Sequence, residues 1–398
     1  MITLEQASTQ DGRPCVLQVL PELVAGGAER TAVDIAEALV QAGGQAIVAS
    51  EGGPMEHELS RAGAHHVKLP LASKNPLVMH RNVSRLTRLI ETQGVDIVHA
   101  RSRAPAWSAA AAAKRSGRPF VTTFHGTYNG GSRLKRAYNA IMTRGDRVIA
   151  NSHFIARHLR EVYNLDPNRI RVIQRGVDLA RFDPVQVSAS RVIALAQKWR
   201  LPDGVPLIML PGRLTRWKGQ TLLLDALTRL QDVELCCVLV GHDPARSGYR
   251  QELEKKIVDL GLASRAFVLE HCDDMPAAYM LADVVVSAST DPEGFGRIIG
   301  EAQAMGRPVV ASDHGGAPEQ VIAERTAFLF PPGDVEGLAA DLRRALALTP
   351  ADRQRLAEAA IDNVRQYFSK ERMCSRTLGL YNEVRSARTY DRPLAVPA

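Results

Sequence analysis

Cysteine, aromatic residues and long apolar runs are all scarce in this chain of 398 residues. The five cysteines are scattered, odd in number and form no C-x-x-C pair, which argues against a disulfide framework and against a zinc site. No apolar run approaches the roughly 18–20 residues that span a bilayer. The first 14 residues also lack the basic-then-apolar layout of a signal peptide. We therefore expect a cytoplasmic protein that carries no secretory or transmembrane signal of its own.

Several catalytic patterns are missing as well. The sequence contains no D-x-D motif to hold a divalent cation against a diphosphate, no H-E-x-x-H and no G-x-S-x-G nucleophile elbow. We therefore expect neither a metal nor a cofactor. If a diphosphate leaves in this protein, cationic side chains and helix dipoles must stabilise its charge.

The net charge of +7 is distributed unevenly. Residues 80–180 hold 18 Lys and Arg against 6 Asp and Glu, so the rest of the chain sums to −5. Within that basic half, the run Arg133–Arg144 places an apolar stripe among basic residues, and it fits either an anionic membrane surface or a helix packed on a sheet. Nucleic acid is a weaker interpretation, because neither a binding module nor an aromatic-interleaved basic stripe accompanies the charge.

Short apolar runs alternate with longer amphipathic ones, which predicts parallel sheets covered by helices on both faces. In the first half we predict strands at 15–20, 45–50, 96–100, 120–124, 147–150 and 170–173, and helices at 28–41, 76–92, 105–115, 133–144 and 154–163. In the second half we predict strands at 207–210, 233–240, 266–269, 284–287, 309–311 and 327–329, and helices starting near Gly219, Ser247, Asp274, Phe295, Pro318 and Asp334.

The alternation is interrupted by a polar, irregular stretch at 184–205, and a helical segment broken near Phe368 ends the chain. We therefore predict an α/β protein of two doubly wound, Rossmann-like domains, residues 1–186 and 187–366, followed by a C-terminal helical segment, 367–398. Ligands of such sheets bind at the carboxyl ends of the strands, so we expect the site in a cleft between the domains.

The most specific segment is Asp291–Glu301, which lies between a predicted strand and a predicted helix. Backbone NH groups at Gly294, Phe295 and Gly296 would favour a phosphate at the helix N-terminus. Glu293 and Glu301 lie eight residues apart, up to ~12 Å along a helix, which suits opposite ends of a nucleotide sugar better than an acid/base pair. The alternative is a capping acid and a surface glutamate.

Four other loops follow predicted strands. Arg213 and Lys218 are suited to phosphate oxygens, although two basic residues in a loop are often simply solvated. The pair Gly26–Gly27 permits close backbone approach, but G-x-G-x-x-G is absent. His125 is expected at the carboxyl edge of the first sheet, and the turn 312–319 at the edge of the second.

In their order along the chain, these motifs resemble the retaining family-4 glycosyltransferases of the GT-B fold over residues 14–385. The motifs are Gly-Gly-Ala-Glu-Arg from Gly26, Phe-His-Gly around His125, Arg-Gly-Val-Asp from Arg175, Arg-x4-Lys and E-x7-E. Arg175 stands where the family commonly has Asn, and we assign that turn no role.

The resemblance implies a role for each matching position. Arg213 and Lys218 would bind the donor diphosphate, Glu293 the donor sugar and Glu301 the ribose. His125 would lie beside the donor sugar, and the loop at Gly26–Gly27 near the diphosphate. The C-terminal helix would pack back on the first domain, which binds the acceptor.

We therefore expect a retaining, metal-independent hexosyltransferase that uses a UDP- or GDP-linked sugar. For the acceptor we expect a cell-envelope glycan such as lipopolysaccharide core or a lipid-linked saccharide, reached at the inner face of the cytoplasmic membrane. The alternatives are a soluble sugar acceptor, a nucleotide-sugar epimerase or hydrolase of the same fold, and a silent binding protein.

Overall fold

The computed structural model describes residues 13–24, 26–128, 131–243 and 248–390, with side chains up to residue 387. The chain divides into two units. The first runs to Arg175 and resumes at Glu371, and the second comprises Gly176–Lys370.

The first unit contains a seven-stranded parallel sheet in the order β3-β2-β1-β4-β5-β6-β7. Its strands are β1 Cys15–Val19, β2 Gln45–Ser50, β3 His65–Lys68, β4 Ile97–Ala100, β5 Phe120–Phe124, β6 Arg147–Ala150 and β7 Ile170–Val172. Its helices are α1 Gly27–Gln41, α2 Glu56–Arg61, α3 Pro76–Thr92, α4 Arg103–Arg115, α5 Arg133–Asn139 and α6 His153–Tyr163.

The second unit contains a six-stranded parallel sheet in the order β10-β9-β8-β11-β12-β13. Its strands are β8 Leu207–Pro211, β9 Cys236–Val240, β10 Ala266–Leu269, β11 Val284–Ser287, β12 Val309–Ser312 and β13 Phe328–Phe330. Its helices are α7 Ala189–Trp199, α8 Gln220–Leu227, α9 Tyr249–Asp259, α10 Met275–Leu281, α11 Ile298–Ala304, α12 Val335–Leu346 and α13 Pro350–Tyr367, and α14 Lys370–Tyr390 follows. The predicted helix start at Ser247 lies outside the described residues.

Both sheets confirm the predicted doubly wound α/β class. Their central strands are buried on both faces, as in β1, β8 and β11, which explains why these segments are continuously apolar instead of alternating. The strand order reverses between β1 and β4 in the first sheet and between β8 and β11 in the second. In open sheets of this kind, ligands bind at such reversal points, outside the carboxyl ends of the strands.

The last helix, α14, packs on the first unit, as predicted. The Tyr381 ring meets the His99 ring edge-on at 5.7 Å. Glu383 accepts hydrogen bonds from Arg147 and Arg171, at 2.8 and 2.6 Å. The C-terminal residues therefore complete the first unit, although they follow the second unit in the sequence.

The boundaries between the units differ from those predicted at 186 and 366. Val177 donates its backbone N–H to Phe368 and accepts from the backbone of Lys370, both at 2.8 Å. A Cβ at Gly176 would lie 2.5 Å from the Lys370 backbone, so only glycine fits that contact. The two chain crossings therefore lie at 175/176 and 370/371.

The predicted helix 133–144 is in fact two elements. The α-helix α5 ends at Asn139, and a 3-10 turn, Ala140–Thr143, carries Ile141 and Met142 into the core, 1% and 0% exposed, while Leu134 stays 83% exposed. The apolar stripe is therefore not one continuous face.

Smaller differences concern elements that the sequence pattern does not reveal. The helix predicted near Pro318 is a 3-10 turn, Pro318–Gln320. The structure adds α2, the edge strand β3 and, in the polar stretch, α7. Within the described residues, no helix combines the length and apolar character needed to cross a membrane.

Candidate active site

The second unit gathers several of the predicted residues where its strand order reverses. Arg213 and Lys218 lie on the loop between β8 and α8, and Glu293 lies on the loop between β11 and α11. Because β8 and β11 are adjacent and parallel, both loops leave the same edge of the sheet.

Lys218 and Glu293 form a bidentate ion pair. The Lys218 Nζ lies 2.8 Å from Glu293 Oε1 and 2.7 Å from Oε2, with side chains that are 9% and 23% exposed. The ammonium also lies 4.6 Å from the centroid of the Trp217 ring. A cation and a carboxylate are thus held in contact at the sheet edge, where each is largely screened from water.

Two glycines fix the loops that carry this pair. Gly219 has φ +75°, and a Cβ there would lie 1.8 Å from the carbonyl oxygen of Ala288. Gly315 has φ +64°, and a Cβ would lie 2.5 Å from the carbonyl oxygen of Glu293. Both positions need glycine for its left-handed backbone and for its missing side chain. The turn that follows β12 also binds Glu293 directly, since Gly316 donates its N–H to the Glu293 carbonyl at 2.8 Å.

The segment Gly294–Gly296 lies in a loop and not at a helix N-terminus. Helix α11 starts at Ile298, three residues after the predicted start near Phe295. Phe295 is 4% exposed and its ring lies 5.8 Å from that of Phe368, so it anchors the loop in the core. Gly296 packs against the Glu293 carboxylate, where a Cβ would lie 3.1 Å from Oε2. The glycine permits Glu293 to fold back toward Lys218.

Glu301 has different partners from Glu293. It lies on α11, where Arg297 forms a 2.7 Å ion pair with its Oε1 and the Tyr279 hydroxyl donates to its Oε2 at 3.0 Å. Burial and the neighbouring carboxylate raise the pKa of Tyr279 well above its usual value, so this hydroxyl remains a donor. Each carboxylate oxygen keeps a second lone pair for a ligand hydroxyl.

Arg213 presents an exposed side chain, while its backbone carbonyl accepts from Gln220 Nε2 at 3.0 Å.

Next to the ion pair lies a small cavity of about 10 Å³, with room for about one water molecule. Polar residues dominate its lining, namely Ser287, Ser289, Glu293, Ser312 and His314. The predicted turn 312–319 therefore contributes side chains as well as backbone to this edge.

In the first unit, His125 follows β5 at the carboxyl edge, as predicted. Its Nδ1 lies 3.3 Å from Nη2 of Arg175, and its Nε2 is buried without a hydrogen-bond partner among the described residues. Burial, reinforced by Arg175 and Arg101, holds the pKa of His125 well below its usual value. A guanidinium can only donate, so Nδ1 accepts and the proton of the neutral ring lies on Nε2. His125 thus offers an unused N–H donor.

Arg101 is a residue that sequence reasoning missed. It follows β4, is only 1% exposed, and donates from Nε to Gln18 Oε1 at 2.6 Å, while its Nη2 finds no partner among the described residues. Burial lowers the pKa of the guanidinium, opposed mainly by Tyr381. Adjacent His99 is fully buried and bonds Tyr381 and Thr123.

The Gly26–Gly27 turn lies at the start of α1. A Cβ at Gly27 would lie 2.4 Å from Nη1 of Arg175, and one at Gly26 would lie 2.1 Å from a carboxylate oxygen of Glu29. The cationic side chain of Arg175 therefore covers Gly27, and the anionic side chain of Glu29 covers Gly26. Arg175, which the sequence analysis left without a role, links this turn to His125. In the sequence, the only indication of a role for Arg175 is that it stands where the family commonly has Asn.

Comparisons with known proteins find matches for both units of the chain. The model "Glycosyltransferase Family 4" matches residues 25–181 and the model "Glycosyl transferases group 1" matches residues 193–363. A glycosyltransferase of Rickettsia africae has 36% sequence identity and a TM-score of 0.87, covering 94% of this chain and 99% of that one. The Anabaena protein HepE, solved with UDP-glucose, has 26% identity and a TM-score of 0.80, covering 92% and 99%.

A D-inositol 3-phosphate glycosyltransferase of Saccharomonospora viridis is 34% identical over 256 residues, which cover 62% of this chain and 58% of that protein. The matched stretch thus spans little more than half of that relative. The two family models cover the greater part of both units, and the Rickettsia structure matches along nearly its whole length. The chain therefore belongs to the group 1, family-4 glycosyltransferases.

Proposed function

We propose that this protein transfers a hexose from a UDP- or GDP-linked donor to an acceptor hydroxyl. The contact between Lys218 and Glu293 carries the proposal, because it joins a cation suited to phosphate with a carboxylate suited to sugar hydroxyls. The Rickettsia glycosyltransferase supports the transferase activity, and the UDP-glucose complex of HepE supports a nucleotide-sugar donor.

In this proposal the second unit binds the donor. Arg213, which is exposed, and Lys218 bind the diphosphate, and they stabilise its charge as it leaves. Sugar hydroxyls donate to Glu293, and ribose hydroxyls donate to the remaining lone pairs of Glu301. The loop Gly294–Gly296 packs against the Glu293 side chain. Because it precedes helix α11, we assign it no helix-dipole contribution to phosphate binding.

The first unit supplies His125 as a hydrogen-bond donor and not as a base. Its proton lies on Nε2, which is buried and has no hydrogen-bond partner among the described residues, so a sugar oxygen placed there would satisfy it. Because burial holds the pKa of His125 well below its usual value, the ring stays neutral at neutral pH and keeps this single proton. The turn at Gly26–Gly27 approaches the diphosphate once the Arg175 and Glu29 side chains withdraw from it.

We further propose that the reaction retains anomeric configuration and needs no divalent metal. In a retaining reaction without a protein nucleophile, the acceptor attacks from the face that the diphosphate leaves, and a leaving oxygen takes the acceptor proton. Arg213 and Lys218 supply the positive charge that such a leaving group needs. Transfer that stops in EDTA and returns with Mg²⁺ would overturn the metal-free form of this proposal.

We propose that the acceptor is a hydroxylated sugar or glycan. The named activity of the 34% identical relative favours a soluble, phosphorylated acceptor over the envelope glycan expected from the sequence. Transfer to a soluble sugar and transfer to a lipid-linked saccharide are therefore the two arms of the acceptor screen. Sedimentation with anionic vesicles at low salt tests the membrane version separately.

The decisive experiment measures transfer with a panel of UDP- and GDP-hexoses in wild type and in Arg213→Ala. We expect the substitution to lower kcat/KM by about 100-fold, the effect typical of removing one charge-stabilising donor. Arg216→Ala is the matched control, because Arg216 is also exposed on the same loop but its guanidinium is paired with Glu252. Equal rates in Arg213→Ala and wild type would contradict the donor assignment.

Two rival activities have distinct outcomes in the same assay. An epimerase or hydrolase would consume the nucleotide sugar at full rate without any acceptor. A silent binding protein would be stabilised by the nucleotide sugar yet give no product with any acceptor. Acceptor-dependent release of nucleoside diphosphate is expected only of the transferase.

A further inference from the structure

The side chain of Arg175 joins two segments of the first unit that the proposed function uses. Arg175 is half-buried and lies three residues after the end of β7. Its Nη2 lies 3.3 Å from Nδ1 of His125, the residue that follows β5. At the start of α1, a Cβ on Gly27 would lie 2.4 Å from Nη1 and 3.0 Å from Cζ of the same side chain. One guanidinium therefore lies against both the His125 ring and the Gly27 backbone.

The chemistry of the guanidinium decides which nitrogen of His125 carries the proton. A guanidinium has donors and no acceptor, so Nδ1 accepts and the single proton of the neutral ring lies on Nε2. A side-chain amide, such as that of the Asn common at this position in the family, carries an oxygen acceptor as well as N–H donors and can pair with Nδ1 in either state. Arg175 therefore removes a choice that asparagine would leave open.

The orientation of the His125 ring depends on this contact. The backbone of His125 is fixed separately, since its carbonyl accepts from Nδ2 of Asn151, which is only 1% exposed. Nε2 is buried without a hydrogen-bond partner among the described residues. Within that part of the chain, the ring itself is therefore hydrogen-bonded through Arg175 alone.

Charge acts in the same direction as the hydrogen bond. The charged and titratable groups that face His125 are Arg175, Arg101, His99 and Tyr128. Burial is the main cause that holds the pKa of His125 well below its usual value, and the two arginines lower it further. A cation beside an imidazole disfavours the imidazolium. Arg175 therefore keeps the ring neutral and also fixes its tautomer.

We propose that Arg175 is a positioning residue for the transfer reaction, which holds His125 as a neutral ring that presents its Nε2–H to the donor sugar. Arg175 acts through His125 and is therefore not itself catalytic. The inference rests on the proposed function, since it names the residue that prepares His125 in the same site. This role falls to a position at which the chain departs from the common pattern of the family.

Nitrogen-15 NMR on the full chain, labelled at its histidine rings, shows which ring nitrogen carries the proton. Because the chain has 11 histidines, the His125 signals are assigned by their loss in His125→Gln. We expect the proton on Nε2 in wild type and in Arg175→Lys, because an ammonium also only donates. In Arg175→Gln a population with the proton on Nδ1 should appear, and the ring should take up its second proton at a higher pH, because a cation is lost.

The same change is expected in Arg175→Asn, which introduces the residue common in the family, so a folding defect in Arg175→Gln would not end the test. A proton on Nδ1 in wild type would overturn the proposal. Spectra that are identical in wild type, Arg175→Gln and Arg175→Asn would overturn it as well.

Steady-state transfer separates positioning from donor binding. Arg175→Gln should lower kcat about 10-fold, the equivalent of one hydrogen bond to a charged group, and leave KM for the nucleotide sugar within about 3-fold. Arg175→Lys should recover most of the lost kcat. Arg157→Gln is the matched control, because Arg157 is an exposed arginine on α6 of the same unit, and its kcat should equal that of wild type. A raised KM with unchanged kcat would make Arg175 a binding residue and contradict the positioning role.

The positioning role and the proposed function fail in different ways. A wild type that transfers no hexose from any donor rejects the proposed function, even when the spectra show the expected tautomers. Wild-type transfer that proceeds with the same kcat in Arg175→Gln and Arg175→Asn rejects the positioning role alone.

Discussion

The ion pair between Lys218 and Glu293 permits a quantitative test, because both side chains can be neutralised without changing their shape much. Glu293→Gln leaves the Lys218 ammonium, 9% exposed, facing a neutral amide. Lys218→Met removes from the Glu293 carboxylate the two contacts with the ammonium, at 2.8 and 2.7 Å. Each single change therefore leaves one largely buried charge without the opposite charge that it contacts, and the double change removes both charges.

The magnitude follows from the burial of the two groups. Removing one member of a fully buried pair costs about 3–5 kcal/mol. Glu293 is 23% exposed, so water reaches one side of the pair and the cost is smaller, about 1–3 kcal/mol for each single variant. The double variant should cost less than the sum, with a coupling free energy of about 1–2 kcal/mol.

The assay is urea unfolding followed by tryptophan fluorescence in a Trp107→Phe background. The remaining tryptophans, Trp199 and Trp217, both belong to the second unit, so the signal reports on that unit alone. The free energy of unfolding is compared across the four members of the cycle. Single effects that add within about 0.5 kcal/mol would show that the pair is not coupled. The close contact would then be no basis for a shared role in donor binding.

Two further predictions concern stability. Gly219→Ala should destabilise the second unit by about 2 kcal/mol or more, because Ala must adopt φ +75° and its Cβ must meet the Ala288 carbonyl. Gly261→Ala is the control, with φ +70° but no atom within 4 Å of the added Cβ. It should lower the free energy of unfolding by only about 1 kcal/mol in the same assay. Burial holds the pKa of His99 well below its usual range, so the unfolded chain binds a proton that the folded chain does not. Stability should therefore fall as the pH drops below about 6.5, by up to about 1.4 kcal/mol per pH unit, and His99→Gln should lose that part of the slope. An identical pH dependence in both proteins would contradict the linkage.

The sequence predicts the second unit well for a physical reason. Alternating β and α segments force parallel strands, and parallel strands place every strand-to-helix loop at one edge of the sheet. The loops of Arg213 and Glu293 therefore meet once their strands are neighbours. The start of α11 is predicted less well, because Phe295 anchors the preceding loop in the core and delays the helix to Ile298.

Elements with little buried surface were harder to predict. Strand β3, His65–Lys68, is an edge strand whose four residues are exposed or half-buried, so it lacks the apolar run that reveals its neighbours. Helix α7 has only Leu195 buried and lies in a polar stretch. The break after Asn139 depends on tertiary packing, because only the fold decides that Ile141 turns inward while Leu134 stays outside.

The buried cations of the first unit were beyond sequence reasoning altogether. A lone arginine is expected at the surface, and Arg101 follows β4 in no recognised motif. It is buried because Gln18, from β1, and Tyr381, from a helix 280 residues later in the chain, meet it there. The basic residues that line one cavity of the first unit have the same character, since Lys74, Arg103 and Lys135 come from three separate segments. Charge composition shows that this half of the chain is basic, but only the strand order decides which cations lie together.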